Sequence, residues 1–105
     1  MINVTKQNFE EVIKKATKPV VLDAFATWCG PCMYMMPIVE ELEQEFGNKY
    51  IFAKLNVDES RDIAISYQVS SVPTFVFIKN NQVVDKVVGS MSKDALKAKI
   101  EQAFK

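Results

Sequence analysis

The spacing of apolar positions changes from one stretch of the chain to the next, and these changes divide its 105 residues into alternating strands and helices. Residues 2–4 predict a short strand. Thr5 is placed to cap a helix running to about Ala16, with Phe9, Val12 and Ile13 on its buried stripe. Pro19 stops the helical tendency, and the run Val20 to Phe25 follows, suited to a central strand covered on both faces. That run carries one charge, Asp23. Met36, Val39, Leu42 and Phe46 then recur at helical spacing between Glu40, Glu41, Glu43, Gln44 and Glu45. The pattern predicts a long helix from about Cys32 to Phe46, ended by Gly47. Pro37 falls inside it and is expected to kink it, because proline lacks a donor and crowds the carbonyl four residues earlier.

Residues 50–57 read as a second buried strand, interrupted by Lys54, and Ser60 to Tyr67 as a short helix. Residues 74–79 and 83–88 are β-rich runs joined through Asn80, Asn81 and Gln82. Asparagine tolerates the positive φ of a tight hairpin, so these two runs should pair antiparallel. Ser92 is placed to cap a last helix with Leu96, Ile100, Ala103 and Phe104 on one side. The order βαβαβαββα predicts an α/β fold, a mixed sheet with helices on both faces.

Composition narrows the class. The length suits one compact domain, residues 1–105, and 49% apolar with 25% charged residues is ordinary for a soluble globular chain. Thirteen basic residues balance thirteen acidic ones, so no charge excess points to nucleic acid or to an anionic membrane. The N-terminal residues lack a secretory signal and no window approaches a membrane span, which leads to the expectation of a cytosolic protein. A monomer is the simplest expectation.

The chemistry sits in Trp28-Cys29-Gly30-Pro31-Cys32, which holds the only two cysteines of a chain without histidine. Zinc needs four ligands and the chain offers two sulfurs and no imidazole; c-type haem attachment needs histidine where Met33 stands. A permanent staple is the plain alternative, but closing so short a loop removes little entropy from the unfolded chain. Reversible dithiol chemistry is the better reading. Cys29 at a helix start would have its thiolate favoured by first-turn N–H groups and is the expected nucleophile. Cys32, one turn further in, would resolve the mixed disulfide. Gly30 lets another backbone approach, and Pro31 suits a first turn, where its missing donor is not needed.

Asp23, in an apolar strand, would have its pKa raised by desolvation and could take the proton from Cys32. The alternative is a solvated acid at a strand edge. Lys54 either pairs with Asp23 or snorkels over the core with its stem. Val57 and Val72 read as core filling and Gly89 as a strand-end turn.

Together the WCGPC pentapeptide, the preceding Val-Leu-Asp-Ala-Phe strand, Lys54-Leu55-Asn56-Val57-Asp58, Val72-Pro73-Thr74 and Val88-Gly89-Ser90 resemble the thioredoxin family over essentially the full chain. The resemblance implies a thioredoxin fold, a central mixed five-stranded sheet flanked by four helices. It implies reduction of disulfides in client proteins, with no bound cofactor beyond the Cys29/Cys32 pair. Electrons would come from NADPH through a thioredoxin reductase, or from a ferredoxin-linked one. It implies too that Gly30 and Pro31 tune the redox potential, that Asp23 is buried and that Pro73 follows a cis bond beside the cysteines. Trp28, Val57, Val72, Pro73 and Gly89 would then form an apolar substrate platform around Cys29.

One departure is Met33, since many members of the family place lysine there; it leads the run Met33-Tyr34-Met35-Met36, read as packing and surface, with a substrate-preference role as the weaker reading. Two other functions compete. An oxidant or isomerase of an oxidising compartment is disfavoured by the missing signal and the Gly-Pro pair, and a non-catalytic binding subunit by the retention of both cysteines and Asp23.

Overall fold

All six residues of Val20–Phe25 are buried, and this strand, β2, forms the middle of a five-stranded sheet. The computed structural model describes residues 1–105. The other strands are β1 (Ile2–Asn3), β3 (Ile51–Asn56), β4 (Thr74–Lys79) and β5 (Gln82–Val88), in the order β1-β3-β2-β4-β5. β2 runs parallel to β3 and antiparallel to β4, so the sheet is mixed, as expected. Three α-helices, α1 (Gly30–Phe46), α2 (Arg61–Ser66) and α3 (Lys93–Ala103), and a π-helical segment (Glu10–Lys14) complete the fold. None of the helices is long and apolar enough to cross a membrane.

Strand alternation divides the core in two. Val20 and Leu22 join Ala53, Leu55, Val76 and Ile78 against Ile13 of the π-helical segment and Ile63 and Ala64 of α2. Val21 joins Phe52, Phe75 and Phe77 against Met35, Val39 and Leu42 of α1 and Leu96 and Ile100 of α3. Burying side chains of this size stabilises by roughly 1.5–3 kcal/mol each. Both faces of β2 are therefore fixed by packing, and its register is fixed with them: Asp23 stands opposite Lys54 of β3 and Phe75 of β4. Alternation sends Asp23 to the face covered by α1.

Several elements differ from expectation. The first helix is not an α-helix from Thr5 to Ala16. Thr5 makes no side-chain cap; its N–H donates to Asn8 Oδ1 at 2.7 Å, and its carbonyl accepts the Phe9 N–H. From Glu10 the winding widens, with the Lys15 N–H bonding the Glu10 carbonyl five residues back at 2.9 Å. Ile13 is still buried as expected, with Phe9 and Val12 packed against its cluster. Helix α1 begins at Gly30, two residues before the expected start, because Pro31 fits its first turn, and it runs unbroken through Pro37. The remaining bounds move by one residue: the strand read over 50–57 is Ile51–Asn56, the helix read over 60–67 is Arg61–Ser66, and β5 begins at Gln82. The hairpin turn is therefore Asn80-Asn81 alone, both with positive φ (53° and 61°). Ser92 does cap α3, accepting the Ala95 N–H at 3.1 Å.

Gly47 ends α1 for a reason other than a left-handed turn. Its φ is −64°, yet a Cβ there would lie 2.6 Å from the Glu43 carbonyl oxygen, the group that accepts the Gly47 N–H. Gly47→Ala is expected to cost about 1–3 kcal/mol through that overlap. A urea midpoint equal to that of the unaltered protein would show that the carbonyl yields freely.

Candidate functional site

A four-residue connection, 26–29, leads from the end of β2 into the first turn of α1, and the two cysteines lie where it enters the helix. Cys29 is the N-cap, in extended conformation, and its Sγ accepts the Cys32 N–H at 3.1 Å. One of the otherwise unpaired donors of the first turn is thus spent on sulfur. Cys29 and Cys32 are joined as a disulfide with their Cα atoms 5.2 Å apart. The two sulfurs are not equivalent: Cys29 is 6% exposed and Cys32 is not exposed at all. Phe25, Ala26 and both cysteines form a small cluster of their own, with Met36, Val57 and Val72 packed on it.

Pro73 is buried next to this cluster, and the Val72–Pro73 bond is cis. The Val72 carbonyl oxygen lies 3.8 Å from Cys29 Sγ. In the disulfide this is a contact between two acceptors; a reduced Cys29 thiol would have a proton to donate across it. Pro73's own carbonyl accepts the Gly89 N–H at 2.8 Å, and Gly89 has φ +102°, a conformation that side-chain-bearing residues rarely adopt. Gly89 is therefore more than a generic strand end: it fastens the start of the β5–α3 connection to the proline loop.

Asp23 is wholly buried, which removes the solvated-edge reading. It lies along β2 between Val21, in the core under α1, and Phe25, in the cysteine cluster. Neither carboxylate oxygen has a hydrogen-bond partner. Desolvation pushes its pKa from 3.8 up to about 7, against a smaller opposing pull from the Lys54 charge. Of the two readings for Lys54, the snorkelling one describes the geometry better. Its ammonium makes no salt bridge to Asp23 and instead lies 5.8 Å from the centroid of the Phe25 ring. Lys54 acts on Asp23 through space and not through contact.

Trp28 is 72% exposed, the most open of the large apolar side chains. Its orientation is set by Asp58, whose Oδ2 accepts the indole N–H at 2.9 Å. Asp58 is in turn held by Asn56, whose buried Oδ1 accepts the N–H groups of Asp58 and Glu59 at 3.0 and 3.1 Å. Sequence reasoning missed both residues as parts of the site. Asn56, an asparagine followed by two residues whose amides it binds, is a turn signal that was available; the pairing of Asp58 with a tryptophan 30 residues away was not. Trp28, Val57 and Val72 line a groove of about 350 Å³ with Val69, Ser70 and Ser71. On the other side of Cys29, Gly30, Pro31 and Tyr34 face Ser90, Met91 and Ser92 across a second groove of about 530 Å³. Of the residues expected in the platform, Val57 and Val72 pack on the cysteine cluster, Trp28 directly precedes Cys29, and the Gly89 N–H is tied to the Pro73 carbonyl.

A two-cysteine disulfide at a helix start, with one sulfur partly reachable, the other sealed, and a buried protonatable carboxyl in the strand that leads to it, is the arrangement of a thiol–disulfide oxidoreductase. The comparisons with known proteins narrow the class. The Thioredoxin family model matches residues 1–102. The chain is similar to thioredoxin of Chlorobaculum thiosulfatiphilum, 43% identical over 98 residues that cover 93% of this chain and 91% of the relative. It is also similar to thioredoxin of Pseudomonas aeruginosa, 38% identical over 93% of this chain and 91% of that one. Mitochondrial thioredoxin of Mus musculus is 42% identical over 87% of this chain and 55% of its own length. The chain belongs to the thioredoxin family, and its activity is protein-disulfide reduction by the cysteine pair itself, without a bound cofactor.

Proposed function

We propose that Cys29 is the attacking sulfur and Cys32 the resolving one. The difference in their exposure carries this reading: a substrate disulfide can meet Cys29 at the surface, whereas Cys32 is reachable from within. In the reduced protein the Cys29 thiolate, favoured by the first-turn N–H groups, attacks one sulfur of the client disulfide, and the client's other sulfur leaves as a thiolate that takes up a proton. Cys32 then gives its proton to the Asp23 carboxylate and attacks Cys29 Sγ. The bond between Cys29 and the client breaks, the Cys29–Cys32 disulfide forms, and the second client sulfur departs as a thiolate that takes up a proton. Two electrons have passed from the dithiol to the client, which leaves as two thiols. With a pKa of about 7, Asp23 is poised to accept and return a proton near neutrality.

Trp28, Val57, Val72 and Pro73 serve as the apolar platform that receives the client chain, Gly89 holds its rim, and Gly30 and Pro31 tune the potential of the couple. Lys54 supports Asp23 by lowering its pKa. Client proteins with disulfides and a reductase are the partners of the family; the electron donor of this chain is an NADPH-dependent thioredoxin reductase. One copy supplies both sulfurs, the acid and the platform, so the protein works as a single-domain monomer. A reducing compartment, the cytosol, suits a dithiol that must be kept reduced to act.

A Cys32→Ser variant tests the order of attack. Incubated with a disulfide-containing protein, it should accumulate a mixed disulfide through Cys29 that dithiothreitol releases. Accumulation by Cys29→Ser instead would reverse the assignment.

A further inference from the structure

Met35 is the one member of the Met33–Met36 run that is wholly buried. Its thioether does more than fill space: the Met91 N–H donates to Met35 Sδ at 3.4 Å, across 56 residues of chain. Met91 lies in the segment from Gly89 to Ser92 that joins β5 to α3. The two ends of this segment are fastened separately, Gly89 through its N–H to the Pro73 carbonyl and Ser92 through its cap on α3. Of the N–H groups from Ser90 to Ser92, Met91's alone has a partner, and that partner is the sulfur. The same three residues form one wall of the groove whose other wall is Gly30, Pro31 and Tyr34, beside Cys29.

We propose that Met35 is a positioning residue for protein substrates, its thioether holding the Met91 backbone so that the Ser90–Ser92 wall stands at a set distance from Gly30 and Tyr34. The inference rests on the reading of Cys29 as the attacking sulfur. The groove takes the stretch of client chain that flanks its disulfide, with an apolar side chain set between Tyr34 and Met91. Methionine also fills irregular gaps, and leucine would fill this one nearly as well. Only the sulfur, however, can accept a hydrogen bond.

Met35→Leu separates the two roles, because it keeps volume and removes the acceptor. A thioether is a weak acceptor, so the expected change is modest: KM for a folded disulfide-containing protein rises about two- to fivefold with kcat unaltered. Turnover of a small aromatic disulfide, which needs no wall, stays the same. Native-state hydrogen exchange adds a measurement on the unaltered protein that holds even if the variant folds poorly. There the Met91 amide should exchange at least about tenfold more slowly than the unpartnered Ser90 amide. An unchanged KM, an equal loss with both disulfides, or a Met91 amide as fast as Ser90's overturns the proposal. A mixed disulfide accumulated by Cys29→Ser would instead strike at the reading of Cys29, leaving the hydrogen-exchange result to judge Met35 by itself.

Discussion

Asp23→Ala is expected to make the oxidised protein more stable at pH 8 and slower as an enzyme. The carboxyl is wholly buried without a hydrogen-bond partner, and burial lifts its pKa from 3.8 to about 7. Below pH 4 it is protonated in folded and unfolded states alike, so it imposes no electrostatic penalty. Between about pH 4 and 7 the unfolded chain releases the proton while the folded one keeps it, and stability falls as pH rises. Above pH 7 both are ionised and the full penalty of a buried charge remains. A rise of about 3 units corresponds to about 4 kcal/mol; the cavity left by alanine offsets part of it, for a net gain of about 2–4 kcal/mol at pH 8. At pH 3 the electrostatic gain is gone and the cavity remains, so the variant should be less stable than the unaltered protein. Loss of the proton acceptor for Cys32 should meanwhile slow resolution of the mixed disulfide by about 10²-fold or more at pH 7. Urea unfolding at pH 3 and pH 8 with single-turnover kinetics checks both halves. A variant no more stable at pH 8 than at pH 3, relative to the unaltered protein, would mean that Asp23 is not the unpartnered acid described.

How much of this was legible beforehand follows from the range of each interaction. The cysteine pair, the helix that starts on it and the hairpin turn at Asn80-Asn81 depend on residues a few positions apart, and the sequence pattern located the helix start to within two residues and the turn to within one. Asp23 stood out as the one charge in an apolar run, but whether it was buried depended on α1 folding over β2, and without the family resemblance its solvated alternative stays open until both faces of the sheet are seen. Lys54 shows the same limit, since its strand position was evident while the direction of its ammonium, toward Phe25, depended on side-chain packing. The spacing of Phe9, Val12 and Ile13 is that of an α-helix, and the widening from Glu10 leaves no mark in it, which is why the first helix differs from expectation. Trp28–Asp58 and Met35–Met91 join residues 30 and 56 positions apart. Neither leaves a local signal, because a single hydrogen bond between distant segments imposes no periodicity on the chain.

The largest effect should come from the smallest change, the replacement of one sulfur by oxygen in Cys29→Ser. A serine alkoxide is not formed at neutral pH and cannot form the sulfur–sulfur bond that carries the electron pair, so protein-disulfide reduction should fall to background. Cys32→Ser should also abolish turnover but leave the first bond-forming step intact, because Cys29 keeps its place as N-cap. Its rate of mixed-disulfide formation should rise with pH as the Cys29 thiol ionises and then level off. The two variants therefore share a steady-state result and differ in a burst: about one equivalent of client thiolate released per molecule of Cys32→Ser, none from Cys29→Ser. That difference, read in a stopped-flow trace, separates a site with one entry sulfur from one in which either cysteine can begin. Equal bursts from both variants would show that burial of Cys32 does not keep substrates away and that the asymmetry of the helix start has no kinetic consequence.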